Sequence, residues 1–109
     1  MAKEKIAAVT KRPGGKPQHT SIANNLKNLQ AYVGGYIETV TFSTGFGNLC
    51  VICNEEGRLR GLPHSCKIGN VDFVGDIIIV GADLKTGEFT DLPCSYSDLK
   101  LLLPALWEE

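Results

Sequence analysis

Cys50 and Cys53, followed by His64 and Cys66, have the residue types of a zinc site. Their spacing speaks against one. Both cysteines lie in Leu49–Cys53, a short apolar stretch that reads as a strand. An odd separation on a strand sends two side chains to opposite faces. The four cysteines are therefore read as small buried hydrophobes, and no metal or other cofactor is expected.

A second candidate is the turn that leaves this strand, Asn54-Glu55-Glu56-Gly57. An Asn side chain bonds backbone two residues on, and Gly supplies a positive φ, so a purely structural turn accounts for it. Strand ends are also where ligand contacts gather. Tyr36, Phe42 and Phe46 supply aromatic faces, and Arg58 and Arg60 supply guanidinium groups. Such groups suit bases and phosphates. The candidate ligand-binding set is thus Tyr36, Asn54, Glu55, Glu56, Arg58, Arg60 and His64. Catalysis is served less well. Glu55 and Glu56 are adjacent, and adjacent carboxylates diverge in an extended chain. His19 and His64 stand isolated in sequence. A non-enzymatic binding protein is the expectation, and a small hydrolase-like enzyme using Glu55, Glu56 and His64 is an alternative.

The elements that must position these groups can be read from periodicity. Ile6–Val9 suits a first strand, residues 11–17 a Gly/Pro turn, and Gln18–Thr20 a short edge strand. Thr20 or Ser21 is expected to cap a helix carrying Ile22, Leu26, Leu29 and Val33 on one stripe, stopped by Gly34-Gly35. Glycines that follow a helix are caps; a phosphate loop precedes one. Tyr36–Phe42 and Leu49–Cys53 read as strands joined by a hairpin loop, residues 58–69 as irregular, Ile77–Val80 as a buried strand ended by Gly81, and residues 83–93 as loop. Ser95-Tyr96-Ser97-Asp98 fits a capping box. Leu99, Leu102, Leu103 and Leu106 form the stripe of a C-terminal helix near 96–103, which Pro104 should end. The sum is one α+β domain over 1–109, an antiparallel-rich mixed sheet of four or five strands with two packed helices. Leu49–Cys53 is apolar on both faces, so it should be central and covered twice. One helix covers one face; the C-terminal helix or another subunit must cover the other, and a homo-oligomer is expected.

Composition sets the outer bounds. Apolar residues make up 43% and charged residues 21%, ordinary for a globular chain. No apolar run approaches the ~20 residues of a bilayer-spanning helix, and no secretory signal is read, so the cytoplasm is expected. The net charge is −1 but uneven. Residues 1–16 hold five cations against Glu4; residues 83–109 hold six carboxylates against Lys85 and Lys100. The basic N-terminal segment makes a nucleic-acid-associated accessory role a further alternative, although a solvated basic face explains it as simply.

Two motifs carry a resemblance. Val33-Gly34-Gly35-Tyr36-Ile37-Glu38, then an apolar strand into Cys53-Asn54-Glu55-Glu56-Gly57 and Gly61-Leu62-Pro63, resembles a small domain family of unknown function found in bacteriophages and conjugative elements of Gram-positive bacteria. The likeness spans about residues 5–82. It departs at Pro63-His64-Ser65-Cys66-Lys67, where an Asn-Arg-like pair would follow the Leu-Pro. The resemblance implies a genetic setting rather than a mechanism: a phage or mobile-element protein in the host cytoplasm, countering host defence by sequestering a signalling nucleotide or blocking a host protein.

Overall fold

The computed structural model describes residues 4–107; Lys3 of the basic segment and the terminal Glu108 and Glu109 lie outside them. Two hairpins and one connecting strand build the main sheet. The first hairpin joins β1 (Lys5–Lys11) to β2 (Gln18–Ala23), and the second joins β3 (Ile37–Thr44) to β4 (Gly47–Asn54). Strand β7 (Ile77–Asp83) lies between β1 and β4, giving the order β2-β1-β7-β4-β3. Strands β5 (His64–Ile68) and β6 (Val71–Val74) form a separate hairpin. Strand β8 (Glu88–Thr90) pairs with the end of β7, so the sheet has six strands where four or five were expected. Every pairing is antiparallel.

Strand β4 occupies the interior position that its apolar pattern demands. Cys50 and Ile52 face one core, with Ile6, Ala8, Ile78, Val80, and Leu29 and Val33 of α1 (Leu26–Val33). Leu49, Val51 and Cys53 face the other, with Val9, Ile77, Ile79, the β5–β6 residues Cys66, Ile68 and Phe73, and the C-terminal Leu99 and Leu106. Fully burying an aliphatic side chain of this size stabilises the fold by about 1.5–3 kcal/mol. The second face is thus covered by the β5–β6 hairpin together with α2 (Tyr96–Leu102) and the 3-10 turn Pro104–Trp107. An uncovered sheet face, the expected reason for self-association, is not what this chain presents.

Local chemistry explains where sequence expectation and structure part. Strand β2 runs on to Ala23, so Thr20 and Ser21 lie in a strand and cap nothing. The cap is Asn25, whose side chain accepts from the Asn28 N–H at 2.9 Å. Ile22 reaches the same core from the strand, opposite Ile6. Gly34 ends α1 in the left-handed region at φ 80°, as its position foretold. Gly81 does not end β7; it pairs with both Leu49 and Thr90. Residues 64–68 and 88–90 are strands, not irregular chain. The Ser95/Asp98 capping box forms, and α2 stops before Pro104. The buried stripe uses Leu99 and Leu106, while Leu102 is exposed.

Candidate functional site

The expected site residues do not converge on one point. Asn54 is buried and structural: its Nδ2 donates to Val33 O at 3.0 Å, closing the end of α1, and its Oδ1 accepts from the Glu56 N–H at 2.8 Å. Tyr36 is exposed, and its carbonyl accepts from the Glu55 N–H. Glu55 and Glu56 both face solvent. Arg58 donates to Asp72 O at 2.7 Å, and His64 Nε2 sits 3.1 Å from Asp72 Oδ1, so both lean on β6. Arg60 turns the other way and donates to Gly34 O at 2.9 Å, a cation placed at a helix C-terminus.

One cleft forms beside the Asn54 turn. It has a volume of about 170 Å³ and lies between the end of the β3–β4 hairpin and β6. Glu38, Glu55 and Asp72 line it against a single cation, Arg58. That balance repels phosphates. Cys53 lines it too. Burial, assisted by the Glu38 carboxylate, pushes the Cys53 thiol up from 9.0 to about 11. Burial likewise raises Cys50, against hydrogen bonding from Thr41 and Thr39, and raises Cys94, with Asp98 adding to it. Thiols held protonated are poor nucleophiles at neutral pH. Cys50 and Cys53 face opposite cores, as their spacing on a strand requires. Among the described residues, no three His, Cys, Asp or Glu side chains gather as a metal site.

The raised Cys53 thiol makes stability depend on pH. The folded state keeps a proton that the unfolded chain gives up near 9, so the benefit is complete below that pH and lost as pH rises toward 11. We expect wild-type unfolding free energy to fall by about 2 kcal/mol more than that of Cys53→Ala between pH 8.5 and 11, a direction set by the folded-state shift. Urea titrations of both proteins at several pH values check this; parallel pH profiles would remove the thiol from the account.

A second, basic region draws on the N-terminal basic segment and on Arg60 of the expected ligand-binding set, joined by residues of β1, β2 and α1 that were not expected. In β1 and β2, the pairs Ile6–Ile22, Ala8–Thr20 and Thr10–Gln18 are cross-strand partners, so one face of the hairpin grades from apolar to polar. Helix α1 covers its apolar end. The polar end stays open as a cleft of about 490 Å³, with Thr10, Gln18 and Thr20 along it, Tyr32 of α1 beside it, and Arg12 and Lys16 from the turn. A second cleft of about 490 Å³ adjoins it and shares Arg12 and Tyr32. Arg60 and Asp76 line that one. Lys16 Nζ is steadied by Trp107 O at 2.8 Å. The continuous surface thus carries three cations against one carboxylate. Only part of the basic segment takes part: Lys11 is buried, its ammonium bonded to Ser65 O at 2.8 Å and Arg12 O at 3.2 Å. The signal was present in Arg12-Pro13-Gly14-Gly15-Lys16, two cations on a tight turn, but Tyr32 reads as an ordinary helix residue.

Fold and surface together define a small antiparallel α+β domain with two layers of cover on its sheet and an open basic cleft. The chain belongs to DUF3846, a domain of unknown function, whose family model matches residues 6–100. The match runs through β8 and most of α2, beyond the stretch carrying the two motifs. No curated protein and no solved structure matches the chain. No helix among the described residues is long and apolar enough to cross a membrane.

Proposed function

We propose that this chain is a non-enzymatic binding protein of a phage or mobile element, working in the host cytoplasm against a host defence by sequestering a signalling nucleotide. The observation that carries the ligand class is the pair of adjoining clefts sharing Arg12 and Tyr32, with Lys16 and Arg60 beyond them. A guanidinium with several N–H donors grips phosphate oxygens in a bidentate way. A phenol ring offers a base its face. Polar Thr10, Gln18 and Thr20 supply side chains that can read base or ribose edges. Arg12 has an exposed side chain and makes no side-chain hydrogen bond or ion pair among the described residues, so its donors are available to a ligand.

Titration calorimetry with a panel of mono-, di- and cyclic nucleotides tests this. At least one should bind. Arg12→Ala should weaken it about tenfold or more, as losing a charge-assisted contact does. Arg58→Ala, in the acidic cleft, should leave it unchanged. No binding across the panel would sink the reading and leave blocking of a host protein as the alternative. Capture of DNA or RNA with a steep salt dependence would instead indicate a nucleic-acid accessory role.

A further inference from the structure

Asp76 is a carboxylate that pairs with none of the cations around it. It lines the second cleft together with Arg12 and Arg60, yet its side chain makes no hydrogen bond or ion pair among the described residues. The sheet brings it there. Lys11 of β1 faces Ile77 of β7 in an antiparallel pairing, so Arg12 and Asp76 are the next residues on the two chains, at the same end of the ladder. Their charged ends nevertheless do not meet. Arg60 is engaged elsewhere, donating to Gly34 O at 2.9 Å. The turn that presents Asp76 is fixed on both sides: Ile77 by its pairing, and Gly75 by an N–H that donates to Pro63 O at 2.8 Å. Asp76 is half-buried, with its acceptor oxygens unused by the protein. A carboxylate at neutral pH only accepts, and one withdrawn from water calls for donors.

The bases differ in what they offer such a group. Guanine carries two adjacent donors on its pairing edge, the ring N1–H and the N2 amino group, which match the two oxygens of one carboxylate. Adenine and cytosine set an acceptor nitrogen beside their amino group, and uracil sets a carbonyl on each side of its N–H. Each of these three would turn an acceptor toward Asp76. Tyr32, Pro13 and Pro63 give a flat base apolar cover in the same cleft. The first cleft is lined differently, with the neutral Thr10, Gln18 and Thr20 and no carboxylate. Each cleft, at about 490 Å³, is of the size that takes a small ligand, roughly 300–1,000 Å³. Arg12 and Tyr32 belong to both, with Lys16 in the first and Arg60 in the second. Resting on the nucleotide reading above, we propose that the sequestered ligand is a guanine dinucleotide, with one nucleoside in each cleft, a linking phosphate on Arg12, and a guanine in the second cleft read by Asp76.

Titration calorimetry with GMP and with the dinucleotides pGpG and pApA, linear and cyclic, tests this. The better guanine dinucleotide should bind at least tenfold tighter than its adenine counterpart, because a site built for two donors rejects a base that lacks them. It should also bind at least tenfold tighter than GMP, which reaches one cleft only. Asp76→Asn should weaken the guanine dinucleotide about tenfold or more and strengthen the adenine one, since an amide offers adenine both a donor and an acceptor. Guanine and adenine dinucleotides that bind alike, or an Asp76→Asn variant that keeps the wild-type preference, overturn the guanine pocket and leave the nucleotide reading standing. GMP binding as tightly as the dinucleotide overturns the two-cleft ligand. Loss of all binding in Arg12→Ala with no base preference in the wild type likewise supports the nucleotide reading against this proposal, whereas no binding by any nucleotide sinks both.

Discussion

Gly81→Ala is expected to lower the stability of the fold by about 3 kcal/mol or more, a large share of the 5–15 kcal/mol typical of a domain. The backbone at Gly81 has no unusual φ, so the reason is space alone. Strand β1 pairs with β7 at Ile77–Ile79, and β8 pairs with it at Gly81–Asp83. The chain leaving β8 crosses close over Gly81 to reach β1. A Cβ there would collide with Asp91 O and Thr90 Oγ1. Asp91 cannot retreat cheaply. Its Oδ1 accepts from the Ala7 N–H at 2.8 Å, and the next residue, Leu92, donates to Ala7 O at 3.0 Å. Relieving the clash would break these bonds, each worth about 0.5–1.5 kcal/mol. Gly45→Ala is the control. Nothing lies within 4 Å of its Cβ position, and its φ is not positive. A change within about 0.5 kcal/mol is expected there. Chemical denaturation of both variants decides; equal stability would mean that the crossing does not press on Gly81.

Asn54→Ala is the second large effect, at about 2–4 kcal/mol. The side chain is 5% exposed and serves two elements at once. Its amide donates to Val33 O, a carbonyl the end of α1 leaves without a helical partner. Its oxygen accepts from Glu56 N–H and sets the turn. Truncation strands both. Asn54→Asp gives a sharper test. The carboxylate keeps the acceptor for Glu56 but turns a second oxygen toward Val33 O, with a buried charge besides. Protonated, the same side chain can donate to that carbonyl. The Asp variant should therefore unfold more easily at pH 7 than at pH 3, relative to wild type at each pH. A variant that tracks wild type at both would show that Val33 O is satisfied in another way.

The two central strands were legible because unbroken apolar runs leave a chain few alternatives. Leu49–Cys53 and Ile77–Val80 can be buried only between two covering layers, and both are. The helix ends were legible from single residues, Gly34 and the Ser95/Asp98 box. The start of α1 was not. Thr20 and Ser21 have capping side chains, but pairing of β2 with β1 claims their backbone first. Strand β5 was hidden for a related reason. His64-Ser65-Cys66-Lys67 shows no clean alternation, because a register shift between His64 and Cys66 lets two successive residues, Ser65 and Cys66, both be buried. Of the candidate site residues, sequence gave Arg60 its chemistry but not its neighbours. Arg12, Tyr32 and Arg60 come from a hairpin turn, a helix and a post-strand turn, and only the folded sheet brings these together.

The strand order β2-β1-β7-β4-β3 has a consequence for synthesis. The first 76 residues can close three local hairpins, yet no strand within them joins the β1–β2 hairpin to the β3–β4 hairpin. That link waits for Ile77–Asp83 to leave the ribosome and slot between β1 and β4. Until then β4 has one apolar flank and no neighbour on that side. The nascent chain must carry that exposed flank from the synthesis of β4 until β7 emerges, so the two halves of the main sheet join in one step that waits for β7.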